Sequence, residues 1–564
     1  MKTILSLVSF LILVSGSSGA DRARVAAKGG RGIIENKKVR AEFRDGQGQV
    51  SVRRGGEWYP VAILPGMDWL TDADSINGEE LHVVTKGGSV RFNLKDHLLL
   101  FETQRELFVE VLGKKTAALF PGLDFLEGGE FSSSDRDAHG ALADRRRPEA
   151  YKITVPLMAY EADGVLVSLM WSGNARLFFE AREKNRMSLG PTKTVITMTG
   201  AMLIEDGATI SDAVPRWIAM FGLPAPEPWP RSLESEIELC KTGFQTVRAA
   251  DGTYSHCVGW KSAPTPGFAV LLHLLGEKVD WEKFPDLNSS ANCHILRWEA
   301  PFYSGKPEAV KNVVPGMKEL AKKRVNGEWS FQPDPKNEKQ VALGKRGDTV
   351  LGTSAHNALM LAKAARMTGN AELKDAALDT LRVLRKYKIP RGAQSWECPL
   401  YEPDILAAAY AVGAYVEAYK LSGDKEFLAD AQRWAKAGLP FIYLWNLPGN
   451  KMMRYGSVPV FGTTHYTHSW FGVPVQWNGL VYAYYLRKLA PLDKSFPWQT
   501  IADGITASAV HQQYADGTSK GCYPDAIYDQ ITRRSPADIN PENILVNILT
   551  ALGKDPDPDL KLKP

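Results

Sequence analysis

Residues 354–387 read SAHNALMLAKAARMTGNAELKDAALDTLRVLRKY, and residues 403–439 read PDILAAAYAVGAYVEAYKLSGDKEFLADAQRWAKAGL. Each is an apolar run of helical period, a small-residue turn and a second run with charge on one face. The turns Thr368-Gly369-Asn370 and Ser422-Gly423-Asp424 match, and each is followed after one residue by a glutamate, Glu372 or Glu426. The offset from Thr368 to Ser422 is 54 residues, and it puts His356 in register with Tyr410. In each unit the first helix is apolar on most faces and the second is amphipathic. Internal repetition of this kind marks stacked helical pairs. An inner and an outer helix of a closed double ring are expected.

Outward from this repeat, further inner helices are expected in TPGFAVLLHLLGEK (265–278), near GKPEAVKNVVPGMKELAKK (305–323), in WNGLVYAYYLRKL (477–489) and in ENILVNILTALGK (542–554). The count comes to about five to six pairs. Before residue 223 the period changes from 3.6 to two. Runs such as KKVRAEF, GQVSVRR and GSVRFNL alternate between turns built on Gly, Asp and Asn. That spacing belongs to a large antiparallel β-sandwich. The fold class is therefore multidomain β + α: a sandwich over 21–222, a proline-rich linker over 223–232 and an (α/α) toroid over 233–564. A charged segment, residues 120–151, is expected as a long loop whose Glu127, Glu130 and Asp135 reach toward a neighbouring domain.

The 564 residues are 44% hydrophobic and 23% charged, with a net charge of +4. This balance gives no case for nucleic acid or an anionic membrane. Lys2, the apolar run Ile4 to Val14 and Ser18-Gly19-Ala20 form the pattern of a signal peptide over residues 1–20. The mature chain is expected to be secreted or periplasmic, without membrane insertion. Five scattered cysteines give no disulfide framework and no zinc spacing, and at most one bridge, for which Cys257 and Cys293 are one choice. No cofactor or metal is expected, and nothing in the sequence sets an oligomeric state.

A signal peptide, a large sandwich, a linker and a toroid together resemble the carbohydrate-active enzymes of the (α/α)₆ class. These include glycoside hydrolases with an N-terminal sandwich, toroid polysaccharide lyases and uronyl hydrolases. The resemblance lies in the architecture, and no single family's motif is present. It implies an active cleft at one mouth of the toroid, lined by the loops before the inner helices. Those loops carry aromatics beside polar groups, the mixture that sugar rings and their hydroxyls require. Substrate-binding candidates are His256, Trp260, Arg297, Trp298, His356, Trp396, Tyr401, Arg454, His468, Trp470 and Trp477.

Two chemistries fit. Hydrolysis needs a protonated and an ionised carboxyl. Glu397, between Trp396 and Cys398, is the candidate acid, and Glu299, in the echoing sequence WEAP against WECP, its partner. Glu402 and Asp404 are substitutes for either, although an Asp after Pro403 at the head of an apolar helix also reads as a helix cap. Elimination from a uronate needs a Tyr or His base and a cation, for which His465, Tyr466 and His468 with Arg454 stand ready. A third reading is a non-catalytic glycan-binding protein, which would not need several carboxylates in one cleft. Among these, hydrolysis of a poly- or oligosaccharide is the expected function.

Overall fold

The computed structural model describes residues 23–28, 31–66, 72–76, 79–85, 88–132, 146–447, 453–463, 470–527 and 535–562. The leader expected over residues 1–20 lies outside them. The chain divides into two compact units that part between Pro224 and Ala225. No helix among the described residues is long and apolar enough to cross a membrane.

The first unit is a β-sandwich of an eight-stranded and a nine-stranded antiparallel sheet. Strand Val39–Arg44 shows why period two was readable: Val39, Ala41 and Phe43 are buried while the residues between them are not. At the hairpin turns Asp45-Gly46 and Asp163-Gly164, both residues have positive φ (49° and 78°, 46° and 77°). This is the primed geometry whose twist matches the strands it joins. The two sheets meet through Phe43 stacked on Phe92 at 4.8 Å and Tyr160 on Phe179 at 5.0 Å. The segment 120–151 is less of a loop than its charge implies. Asp124–Glu127 is an edge strand paired with Lys115–Phe120. The Glu130 carboxylate accepts the Glu127 backbone N–H at 2.9 Å, so that acid is engaged locally. Asp135 lies outside the described residues.

The second unit is the toroid. The helices Leu351–Thr368 and Ile405–Ser422 are two of its buried inner members, and Ala371–Leu384 and Lys425–Gly438 are their outer partners. Gly369 (φ 68°) and Gly423 (φ 73°) end the inner helices in the left-handed conformation. Asn370 and Asp424 then cap the outer ones, accepting from Leu373 N at 3.0 Å and Glu426 N at 2.9 Å. The inner ring continues through Gln476–Leu489 and Glu542–Ala551 to Pro266–Leu274. Between Pro266–Leu274 and Leu351–Thr368 the place of an inner helix is taken by the short Ala300–Tyr303 and the turn Pro307–Asn312. The expected inner helix at 305–323 is instead Val313–Lys322, which has no buried residue and lies against Leu351–Thr368 and Ala371–Leu384 from outside. All five cysteines are free and buried, so the Cys257–Cys293 bridge is not formed.

The far end of the ring is closed by residues 555–562. Asp557 accepts from Arg366 at 2.8 and 3.0 Å and lies 3.3 Å from Lys363. Lys420 reaches Asp559 at 2.8 Å, Lys488 pairs with Asp555, and Leu562 N donates to Met367 O at 2.8 Å. These cations stand near the C-terminal ends of three inner helices. There they also oppose the partial negative charge of the helix ends.

Candidate functional site

The opposite mouth, at the N-terminal ends of the inner helices, holds a cleft of about 1060 Å³. Its walls come from the first turns of Leu351–Thr368 (Thr353, His356), from Tyr410 and Trp477 on the next two inner helices, and from the loops between. Trp260 (57% exposed) and Trp396 (46% exposed) present open indole faces, while Trp470 and Trp477 are only 6% and 7% exposed. The first two are the available platforms for a sugar ring. Trp477 serves instead to hold other groups. His294 stacks on it at 4.4 Å and Trp396 at 6.4 Å, and its indole N–H donates to Asp525.

The titratable groups of the cleft are shifted mainly by burial, which disfavours whichever form is charged. Asp525 is pushed up to about 6 by burial, against the opposing hydrogen bond from Trp477. His256 is pushed down to about 4 and His356 to about 3, and His294 falls well below its ordinary value. All three imidazoles are therefore neutral at ordinary pH. Tyr410 is raised to about 12 by burial. Its ring meets His356 edge-on at 4.7 Å, so the register inferred from the repeat is a contact in space.

Asp404 and Glu299 do not line this cleft. Asp404 is 1% exposed and caps Ile405–Ser422. Its carboxylate accepts from Ala393 N (2.9 Å), Gln394 N (2.8 Å), Gln394 Nε2 (3.1 Å), Leu406 N (2.7 Å) and Ala407 N (3.4 Å). It thereby pins the 391–394 loop, which carries Gln394 into the cleft wall. Asp404→Ala is expected to lose roughly 3–5 kcal/mol of stability, because several buried N–H donors lose their acceptor at once. Urea unfolding measures it, and a midpoint equal to wild type would show the cap to be dispensable. Glu299 is 2% exposed and its carboxylate is taken by Lys363. Burial pushes its pKa up, and Asp557's charge adds to this while Lys363 opposes it. WEAP and WECP are thus alike in sequence and opposite in place.

Other candidates also serve the fold rather than the cleft wall. Trp298 packs among Val310, Met360 and Ala364. Tyr401 packs against the cluster of Phe331, Leu343, Val350 and Leu400. Arg454 is engaged by Glu227 at 3.1 Å and donates to Ala225 O at 2.8 Å. Glu402 is 1% exposed and lies where Gly462 leaves room, since a Cβ there would come within 2.1 Å of its carboxyl carbon. His465, Tyr466 and His468 lie outside the described residues. Of the carboxyls proposed from sequence, Glu397 is the one on the described cleft wall, and the structure places Asp525 there with it. Asp525, in the loop KGCYPDAIYDQ, is not among the carboxyls proposed from sequence. Glu542, 0% exposed, was missed as well: its carboxylate accepts from the amides of His294 (3.0 Å), Ile295 (3.3 Å) and Leu296 (3.4 Å) and so fixes the loop that bears His294 and Arg297.

No family model and no curated protein matches the chain. Solved structures do share its pattern. An unsaturated glucuronyl hydrolase specific for heparin is 16% identical, covering 58% of this chain and 98% of its own, with a TM-score of 0.38. A GH76 α-mannanase from Bacteroides thetaiotaomicron is 10% identical, over 57% of this chain and 95% of its own, at 0.37. A polysaccharide lyase is 9% identical, over 95% of this chain and 99% of its own, at 0.34. The chain is thus similar to several (α/α)₆ carbohydrate-active enzymes in the pattern of its fold.

Proposed function

We propose that this chain is an exported carbohydrate-active enzyme that hydrolyses glycosidic bonds of a poly- or oligosaccharide bound in the toroid cleft. The observation that carries this reading is Asp525, a cleft carboxyl that burial pushes up to about 6. A carboxyl still about half protonated near pH 6 can supply the proton a departing glycosidic oxygen needs. In this reading Asp525 gives its proton to that oxygen as the bond to the anomeric carbon breaks. Glu397 either takes a proton from the attacking water or attacks the anomeric carbon itself, and the carboxyl separation decides between the two. Trp260 and Trp396 supply apolar faces for the sugar rings.

The competing reading is elimination. The contact of neutral His356 with Tyr410 favours it, since these are the residue types that abstract and return a proton. Product analysis separates the two. New reducing ends without ultraviolet absorbance are expected, whereas an absorbing unsaturated product would overturn hydrolysis. Glu397→Gln is expected to lower turnover by about 10²-fold or more with the fold intact by circular dichroism. Unchanged turnover would remove Glu397 from the chemistry.

A further inference from the structure

We propose that Arg297 receives the carboxylate of a hexuronic acid unit in the cleft, so that the substrate is an acidic, uronate-containing glycan. This rests on the reading of the cleft as a glycan-cleaving site and adds to it the class of sugar.

Several cations set into the toroid are each met by an anion. Lys363 has Glu299 and Asp557, Arg366 has Glu417 and Asp557, Arg487 has Asp503, and Arg231 has Glu236. Arg297 lines the cleft, has no carboxylate within ion-pair distance among the described residues, and keeps its Nε out of solvent with no hydrogen-bond partner. Glu542 is close enough to feel its charge, but its oxygens are directed at three backbone amides. His294, its neighbour in the loop, likewise leaves Nε2 buried and unpartnered.

The backbone is arranged to hold Arg297 in this state. Trp298, the next residue, has φ of 66°, a left-handed conformation that a bulky side chain adopts only when its surroundings enforce it. Packing of Trp298 in the core on one side and the Glu542 clamp on the other supply that enforcement. A charge left without a counter-ion, on a strained and clamped loop, beside three neutral histidines, is a preorganised anion site. A planar carboxylate matches the guanidinium fork in two parallel hydrogen bonds. A neutral glycan would leave the charge unmet.

The test is calorimetric titration of the full chain with oligosaccharides of galacturonate, glucuronate, mannuronate and guluronate, with their carboxyl-reduced counterparts, and with sulfated neutral oligosaccharides. At least one uronate series is expected to bind about a hundred-fold tighter than its reduced form. Arg297→Gln is expected to bring the two within about tenfold, and Arg297→Lys to fall between, keeping charge but losing the fork. Equal binding of reduced and native sugars, tighter binding of sulfated ones, or no binding of any uronate would overturn the proposal. Ligand-free Arg297→Gln is expected to melt above wild type, because it removes an unmet charge. A lower midpoint would show a structural role instead and overturn it. The two readings fail separately. Uronate binding that depends on Arg297 with no cleavage of any glycan would keep the proposal and remove the hydrolase. Cleavage of a neutral glycan at an undiminished rate by Arg297→Gln would do the reverse.

Discussion

Asp525→Asn is expected to lower turnover by about 10²–10⁴-fold, the range that a positioned proton donor contributes. Asparagine keeps the size and can still accept from the Trp477 indole, but it has no proton to give. The pH dependence follows from the direction of the shift. Asp525 titrates at about 6 in the folded chain and works protonated, so activity falls as pH rises through 6. The variant is expected to lose that limb from whatever activity remains. Stability supplies an independent readout. A carboxyl whose folded pKa lies above its unfolded value takes up a proton on folding, so its contribution is full below the unfolded value, near 4, and is lost as pH rises through 6. Asn is neutral throughout, so above pH 6 the variant is expected to be more stable than wild type, by up to roughly 3 kcal/mol. An Asp525→Asn enzyme that turns over normally, or that is less stable at pH 8, would remove the proton-donor role.

Asp557→Ala is expected to cost about 3–5 kcal/mol, as when one member of a buried ion network is deleted. The deletion leaves Lys363 to Glu299 alone and Arg366 to Glu417 alone, with all four groups still buried. Burial by itself would raise the Asp557 pKa, but Lys363, Arg366 and Lys488 override it and hold it far below the usual carboxylate range. Its contribution is therefore present above the unfolded pKa near 4 and is lost only in strong acid. At pH 7 the guanidinium midpoint of the toroid's transition is expected to fall, and the loss should shrink as the pH drops below 4. A midpoint unchanged at pH 7 would mean that residues 555–562 lie on the ring without holding it.

The toroid was legible because the 54-residue repeat carries its punctuation with it, Gly369 and Gly423 ending one helix and Asn370 and Asp424 beginning the next. The sandwich was legible from alternation and Asp-Gly turns. Trp260, Trp396, Arg297, His356 and Glu397, all candidates from sequence, line the cleft, but local pattern could not sort carboxylates. Pro403-Asp404 and Pro524-Asp525 are the same dipeptide. The first attracts notice because an apolar helix follows at once, and that adjacency is what makes Asp404 a cap. The second ends a two-residue strand paired with Asp538–Ile539, well before Glu542–Ala551 begins. Its carboxyl is spared by the distance. Glu299 is likewise decided by Lys363, a residue 64 positions away whose charge no local pattern associates with it.

The closure at residues 555–562 bears on the order of events in folding. Arg366 is separated from Asp557 by 191 residues along the chain, and Lys488 from Asp555 by 67. Contacts that close such long loops form late, after most chain entropy has been lost. Interactions absent from the transition state set how fast the native chain opens and leave the rate of reaching it little changed. The strap is thus a latch on the escape rate. Its loss should shorten the lifetime of the folded ring many-fold.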